Sequence, residues 1–271
     1  MHKISVSHEV PLNMLDTQME FNDYDFILPF FYERYEKYRE YVSKAKSLGR
    51  WSILDCGLFE GEVSSDEKLL ELIDEIKPSL FIIPDVWNNS EETLGNAIKW
   101  QKYKVPHDTK LMPVIQANKF NEALNLYKLF KLMGFNHIAV NHSGNYFIEV
   151  YDVYNDKKDE LVSDEIKKMK GRILFLNLLN SIDNDGTYIH LLGITHHSEL
   201  SLLKSLKLTN FISSIDTSNP IIYGLTKGDY KNDEVPAKIN QKMEEFFEKD
   251  ISPLCLESIN NNILKFKNLL K

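Results

Sequence analysis

Short apolar runs alternate with longer amphipathic ones along this chain. The runs 3–8 (KISVSH), 26–30 (FILPF), 51–55 (WSILD), 80–84 (LFIIP), 110–115 (KLMPVI), 137–141 (HIAVN), 188–193 (YIHLLG) and 211–216 (FISSID) predict strands. Several are rich in Ile, Val and Phe without strict polar–apolar alternation, which is the pattern of parallel strands buried on both faces. Between them lie helical patterns at 66–77 (DEKLLELIDEIK), 90–102 (SEETLGNAIKWQK), 120–133 (FNEALNLYKLFKLM) and 198–208 (SELSLLKSLKL). In the third, Ala123, Leu126, Leu129 and Phe130 recur at helical spacing on one face.

Eight strands alternating with helices predict parallel βα units. An open doubly wound sheet shares that alternation; the strand number and chain length favour an α/β fold of the (β/α)8 TIM-barrel type. The 271 residues, 43% hydrophobic, suffice for one core, so a single domain over 1–271 is expected. The segment 152–187 breaks the rhythm and is expected to add a helical insertion. The tail, 236–271, is expected to form one or two helices outside the barrel.

Composition narrows the partners. The formal net charge is −8, from 40 acidic against 32 basic residues, which favours a small-molecule partner over a nucleic-acid backbone. With only Cys56 and Cys255, and no CxxC, neither a disulfide framework nor a structural zinc site is expected. No run reaches membrane-spanning length, and MHKISVSHEV is not a secretory leader, so the expected compartment is the cytoplasm.

The chemistry concentrates where the strands end, which in a barrel is where functional groups gather. Those ends carry Asp55, Gly57, Phe59 and Glu60; Asp85 and Trp87; Gln116 and Asn118; Asn141 and His142; Gly193, Thr195, His196 and His197; and Asp216, Ser218 and Asn219. Structural roles compete for several of them. Asp85 could cap a helix, and Asn141 and His142 could order a turn. Ser198 could cap a helix, leaving the adjacent histidines in a loop rather than on a metal. Asp55 precedes Cys-Gly, not a helix start, so a functional role is favoured there. Gly57 and Gly193 allow close backbone approach. Together the set suits a planar heterocycle, read by carboxylates and amides and stacked on Phe59 or Trp87. Lys227 and Gly228 follow the last strand, where barrels often hold phosphate.

Five segments resemble, in order, the queuine tRNA-ribosyltransferase (tRNA-guanine transglycosylase) family. LDCGLF at 54–59 is similar to its DSGGF segment, LMPVIQANKF at 111–120 to IVQG, and MGFNHIAVNHSG at 133–144 to GFDGYAIGGL. HLLGI at 190–194 is similar to the segment ending in GVG, and SIDTSNP at 214–220 to GIDMFDCVLP, which carries the nucleophile. The chain also resembles small phage-encoded proteins of this type. The resemblance implies a barrel that binds guanine or a 7-deazaguanine and transfers a pentosyl group through an aspartate attacking C1′. By position, Asp55 matches the aspartate beside base and nucleophile, Asp85 lies near where a base-reading aspartate belongs, and Gln116 matches a base-reading glutamine. Asn141 and His142 replace a glycine pair. Two departures stand out: Asp216 falls on the first aspartate of the last motif while Asn219 occupies the nucleophile's place, and the zinc-binding CxCxxC…H subdomain is absent.

Two functions are therefore expected. One is a glycosyltransferase or N-glycosidase with Asp55 and Asp216 catalytic, and Gly57, Phe59, Asp85, Gln116, Asn141, His142, Gly193 and Asn219 binding a purine or 7-deazaguanine base, nucleoside or nucleotide. The alternative is a non-catalytic binder that sequesters a nucleotide, in a phage setting an anti-defence role. A metal-dependent lyase using Asp85, His142, His196 or His197 is a third, without an HxH or HExxH pattern behind it. No cofactor and no metal is called for.

Overall fold

A computed structural model describes residues 4–58, 61, 64–155, 162–183, 186–194, 197–230 and 241–270. Among the described residues nine strands are present: β1 (Ser5–Ser7), β2 (Asp25–Ile27), β3 (Ser52–Leu54), β4 (Leu80–Ile82), β5 (Lys110–Met112), β6 (Val114–Ile115), β7 (His137–Val140), β8 (Tyr188–Leu191) and β9 (Ile212–Asp216). Each of the eight apolar runs overlaps one, β2 beginning a residue before its run, and the fifth contains two. They form a five-stranded sheet in the order β1-β9-β8-β7-β6 and a four-stranded sheet in the order β2-β3-β4-β5. Every pairing is parallel. The fold is thus α/β.

The division of the fifth run falls at Pro113, which has no N–H to give a ladder. Its neighbours bond to either side: Ile83 N–H donates to Met112 O at 3.0 Å and Ala139 N–H to Pro113 O at 2.9 Å. At the other end of the strand order, Asp23 N–H donates to Val6 O at 2.9 Å, and Phe26 N–H donates to Ser7 Oγ at 3.2 Å. The chain entering β2 therefore lies beside β1.

Residues Ile53, Phe81, Ile115, Ile138, Ile189 and Ile215 on the strands are fully buried and belong to one connected core. Helices lie between the strands, several begun by side-chain caps. Ser65 accepts Lys68 N–H at 3.3 Å and Asn89 accepts Glu92 N–H at 3.1 Å. Two boundaries differ from expectation. FILPF is extended only to Ile27, because Pro29 opens the short helix Pro29–Arg34, where its fixed φ and missing N–H cost nothing. YIHLLG is strand only to Leu191; Gly193, at φ 67°, turns the chain away.

The insertion 152–187 holds helix Asp164–Ile182, and helix Tyr146–Tyr154 before it runs into its start. They approach so closely that a Cβ on Gly171 would meet Phe147 O at 1.8 Å. In the tail, helix Pro253–Leu269 packs on helix Asn219–Thr226, where a Cβ on Gly224 would stand 2.6 Å from Ile259 Cγ1. The buried Asn262 ties this joint, donating to Gly228 O at 2.9 Å and accepting Tyr230 N–H at 2.7 Å. Among the described residues, no helix is long and apolar enough to cross a membrane.

Candidate functional site

Parallel strands deliver all their C-terminal ends to one side, and the residues that follow β3, β4, β6, β7 and β9 face a common cavity. Its volume is about 180 Å³, somewhat above the ~150 Å³ that admits a benzene-sized guest. Asp55, Asp85, Gln116, Asn141, His142, Gly193, Asp216 and Asn219 all line it. Of the remaining expected residues, Gly57 adjoins it, and Phe59 lies outside the described residues, as do Glu60, Thr195 and His196.

Each side chain arrives by local geometry. Asp55 directly follows β3, and Gly57 at φ 84° turns back so that its N–H donates to Asp55 Oδ2 at 3.3 Å. Asp85 does not cap a helix: that role falls to Asn89, four residues on, and Asp85 is left facing the cavity. Gln116 follows β6 and Asn141 follows β7. Tyr146 OH donates to Asn141 Oδ1 at 3.1 Å, Asn141 Nδ2 donates to Gln116 Oε1 at 2.7 Å, and Gln116 in turn hydrogen-bonds Asp85. This chain of bonds sets the orientation of one polar wall.

Asp216 ends β9 and is held from behind. Gly193 N–H donates to its Oδ1 at 3.3 Å. His190 Nε2 lies 3.0 Å from the same oxygen, an ion-pair distance outside the geometry of a well-directed hydrogen bond. His190 is 0% exposed, its Nδ1 is 2.7 Å from Ser214 Oγ, and Phe26 stacks on its ring. Among the described residues, Oδ2 of Asp216 has no hydrogen-bond partner. The Gly193 turn is close to obligatory: a Cβ there would approach His142 Nδ1 to 3.3 Å on a left-handed backbone. Asn219 opens its helix, and its Oδ1 accepts a hydrogen bond from Tyr230 OH.

The rim is braced by Arg172, from the insertion helix. The guanidinium is buried and donates to Val140 O at 2.9 Å, Leu192 O at 3.1 Å and Gly193 O at 2.8 Å. It also pairs with the buried Glu199 at 3.2 Å. These carbonyls flank Asn141 and the Gly193 N–H that holds Asp216.

The cavity perturbs its own acids. Burial pushes the Asp85 carboxyl up to about 7; the Gln116 hydrogen bond opposes this and the Asp55 charge adds to it. Burial also raises Asp55 to about 6, opposed by the Cys56 N–H and assisted by Asp216. Both acids can then exchange protons near neutrality, as general acids and bases must. Burial, with both carboxylates adding, pushes the buried Cys56 thiol far above its usual range, which favours the thiol over the thiolate.

Sequence reasoning missed His190, Phe26 and Arg172. His190 left a signal, an imidazole inside an otherwise apolar strand, but Arg172 sits in a helix with no readable partner. Ser198 lies inside helix His197–Ser205 rather than before it, so it does not cap that helix. Among the described residues, no group of three or more His, Cys, Asp or Glu side chains is gathered as a metal would require. No family model and no curated protein matches the sequence.

Proposed function

We propose that this protein binds a planar purine-like base, a guanine or 7-deazaguanine, in the cavity and breaks or exchanges its N-glycosidic bond. The observation that carries this is the convergence of Asp55, Asp85, Gln116 and Asn141 along the cavity wall, with Asp216, held through its Oδ1, lining the same space. The wall supplies the alternating donors and acceptors that a heterocycle edge needs. In the proposed step, Asp216 Oδ2 forms a bond to the sugar C1′ as the C1′–N bond breaks. The departing base takes its proton from Asp85 or Asp55; an incoming base or water then displaces the carboxylate at C1′ and gives up its proton to that same, now ionised, acid. Asn219, tied to Tyr230, is not the attacking group, which reconciles the amide at that position with the chemistry. The reading goes with a closed (β/α)8 barrel in which β5 and β6 act as one strand interrupted at Pro113; the hydrogen bonds at Pro113 and beside β1 support closure. It also goes with a small transglycosylase-like protein of the phage-encoded kind, working in the cytoplasm.

Incubation with guanosine, deoxyguanosine and guanine-containing tRNA or DNA, in the presence of isotopically labelled guanine or 7-deazaguanine, tests it. Release or incorporation of base, lost in Asp216→Asn, is expected by mass spectrometry. Unchanged substrates throughout, with Asp216→Asn indistinguishable from wild type, would overturn catalysis. Asn219 at the motif's nucleophile position favours one second reading, a non-catalytic binder; an intact ligand released on heating would then be the outcome.

A further inference from the structure

Strands β8 and β9 run side by side, but their register is not uniform. Ile189 pairs with Ile212, whereas His190 pairs with Ser214 and Leu191 with Ile215. Ser213 is the extra residue, and an unbroken register would have set it opposite His190. Irregularities of this kind re-aim a side chain and recur beside functional sites. Here the shift brings His190 level with Ser214. Asp216, two residues further on, shares the face of β9 that carries Ser214. The imidazole spans both: Nδ1 stands 2.7 Å from Ser214 Oγ and Nε2 stands 3.0 Å from Asp216 Oδ1.

The ring has little freedom. Phe26 stacks on it with centroids 5.9 Å apart, and Tyr24 meets it edge-on at 6.4 Å. His190 and Ser214 are both 0% exposed. Serine, histidine and aspartate thus stand in line, but the serine is sealed in the core and the aspartate lines the cavity. That is the reverse of a device built around a nucleophilic serine. The partners also decide where the proton sits. A carboxylate only accepts, so the nitrogen facing Asp216 carries the N–H. Nδ1 of the neutral ring is then bare, and a buried bare nitrogen calls for a donor. The Ser214 hydroxyl is the group beside it.

Resting on the proposed role of Asp216 as the reacting carboxylate, we infer that Ser214 is a positioning residue. Its O–H holds His190 in the Nε2–H tautomer, and His190 presents that N–H to Asp216 Oδ1. The reacting group is thereby aimed by a side chain that never meets the ligand. A hydrogen bond to one ring nitrogen is a general means of setting what the other nitrogen does.

Two readouts on the full chain test this. The first needs no substrate. Long-range proton–nitrogen correlation spectra of histidine-labelled protein, at mildly alkaline pH, report which ring nitrogen is protonated; His190 is assigned by its loss in His190→Leu. Wild type is expected to show Nε2–H with Nδ1 bare, and Ser214→Ala to move the Nδ1 resonance. A ring protonated at Nδ1, or an Nδ1 resonance that Ser214→Ala leaves in place, overturns the inference. The second is a double-mutant cycle on exchange between guanosine and labelled guanine. Ser214→Ala should lower kcat about fivefold, the size of one typical net hydrogen bond, with KM nearly unchanged. In a His190→Leu background it should cost nothing further, because Ser214 acts only through the imidazole. An equal loss in both backgrounds marks a merely structural serine and overturns the inference. No exchange by wild type, beside an Nε2–H ring that responds to Ser214→Ala, overturns the proposed reaction and leaves the hold on Asp216 standing.

Discussion

Replacing Asp85 by Asn asks whether burial governs the acids of the cavity. An isolated aspartate ionises near 3.8, whereas Asp85 in the folded chain keeps its proton up to about 7. The difference is about three pH units, each worth ~1.36 kcal/mol, so ionising this group in place costs about 4 kcal/mol at most. The sign follows from where each state loses its proton. Below pH ~3.8 both states hold it and there is no penalty. As the pH rises towards ~7 the unfolded chain releases its proton first, and stability falls; above ~7 the penalty is complete. Asn has similar volume, retains a carbonyl that can accept from Gln116, and does not titrate. Urea unfolding of both proteins between about pH 4 and pH 8 should therefore show Asp85→Asn and wild type nearly equal at the acid end. The variant should be more stable by on the order of 2–4 kcal/mol at the alkaline end, a large part of a typical 5–15 kcal/mol total. A difference that does not change with pH, or a variant less stable near pH 8, would refute the argument from burial.

Arg172→Met leaves Glu199 charged and buried and takes a donor from three rim carbonyls, of which Val140 O keeps the Leu192 N–H, so a loss of about 3–5 kcal/mol is expected by denaturant unfolding; the Arg172→Met/Glu199→Leu double variant should recover part of it. Gly171→Ala forces a Cβ against Phe147 O and should cost at least 2 kcal/mol or prevent folding, seen as a lowered thermal midpoint. His190→Gln should lower turnover of any accepted nucleoside by about 10-fold or more with a small change in KM, because it loosens the reacting carboxylate without touching the base; an unchanged kcat would remove His190 from the mechanism. Gly193→Ala should weaken ligand binding as well as stability, since its strained Cβ would press on His142 at the cavity; calorimetry and thermal unfolding measure the two effects.

The strands were legible because they are buried on both faces, and apolar runs of five or six residues mark that without help from partners. Their ends were less so. Pro29 and Gly193 end strands through backbone conformation, and the apolar letters around them, FILPF and YIHLLG, do not record it. The cavity residues could be named from their strand-end positions alone, since parallel strands must bring Asp55, Asp85, Gln116, Asn141 and Asp216 to the same side. What held them was not legible. The bond from Gly193 N–H to Asp216 spans 23 residues, and that from Arg172 to Val140 O spans 32. Such contacts depend on three-dimensional packing that has no period in the sequence. Asp85 shows the same limit in reverse: its position suggested a helix cap, but the helix begins five residues later, at Ser90.

The guanidinium of Arg172 also changes what may be removed from this molecule. A minimal version of the fold, made by excising the segment that interrupts the strand–helix rhythm, would keep every strand and every residue proposed to touch a ligand. It would nonetheless lose the cation that gathers Val140, Leu192 and Gly193. Leu192 O and Gly193 O would lose the guanidinium that donates to them, Val140 O would keep the Leu192 N–H, and Glu199 would lose the cation it pairs with. The insertion therefore behaves as a keystone: grafting the cavity onto another scaffold, or shortening the chain, would have to carry helix Asp164–Ile182 along with the loops it braces.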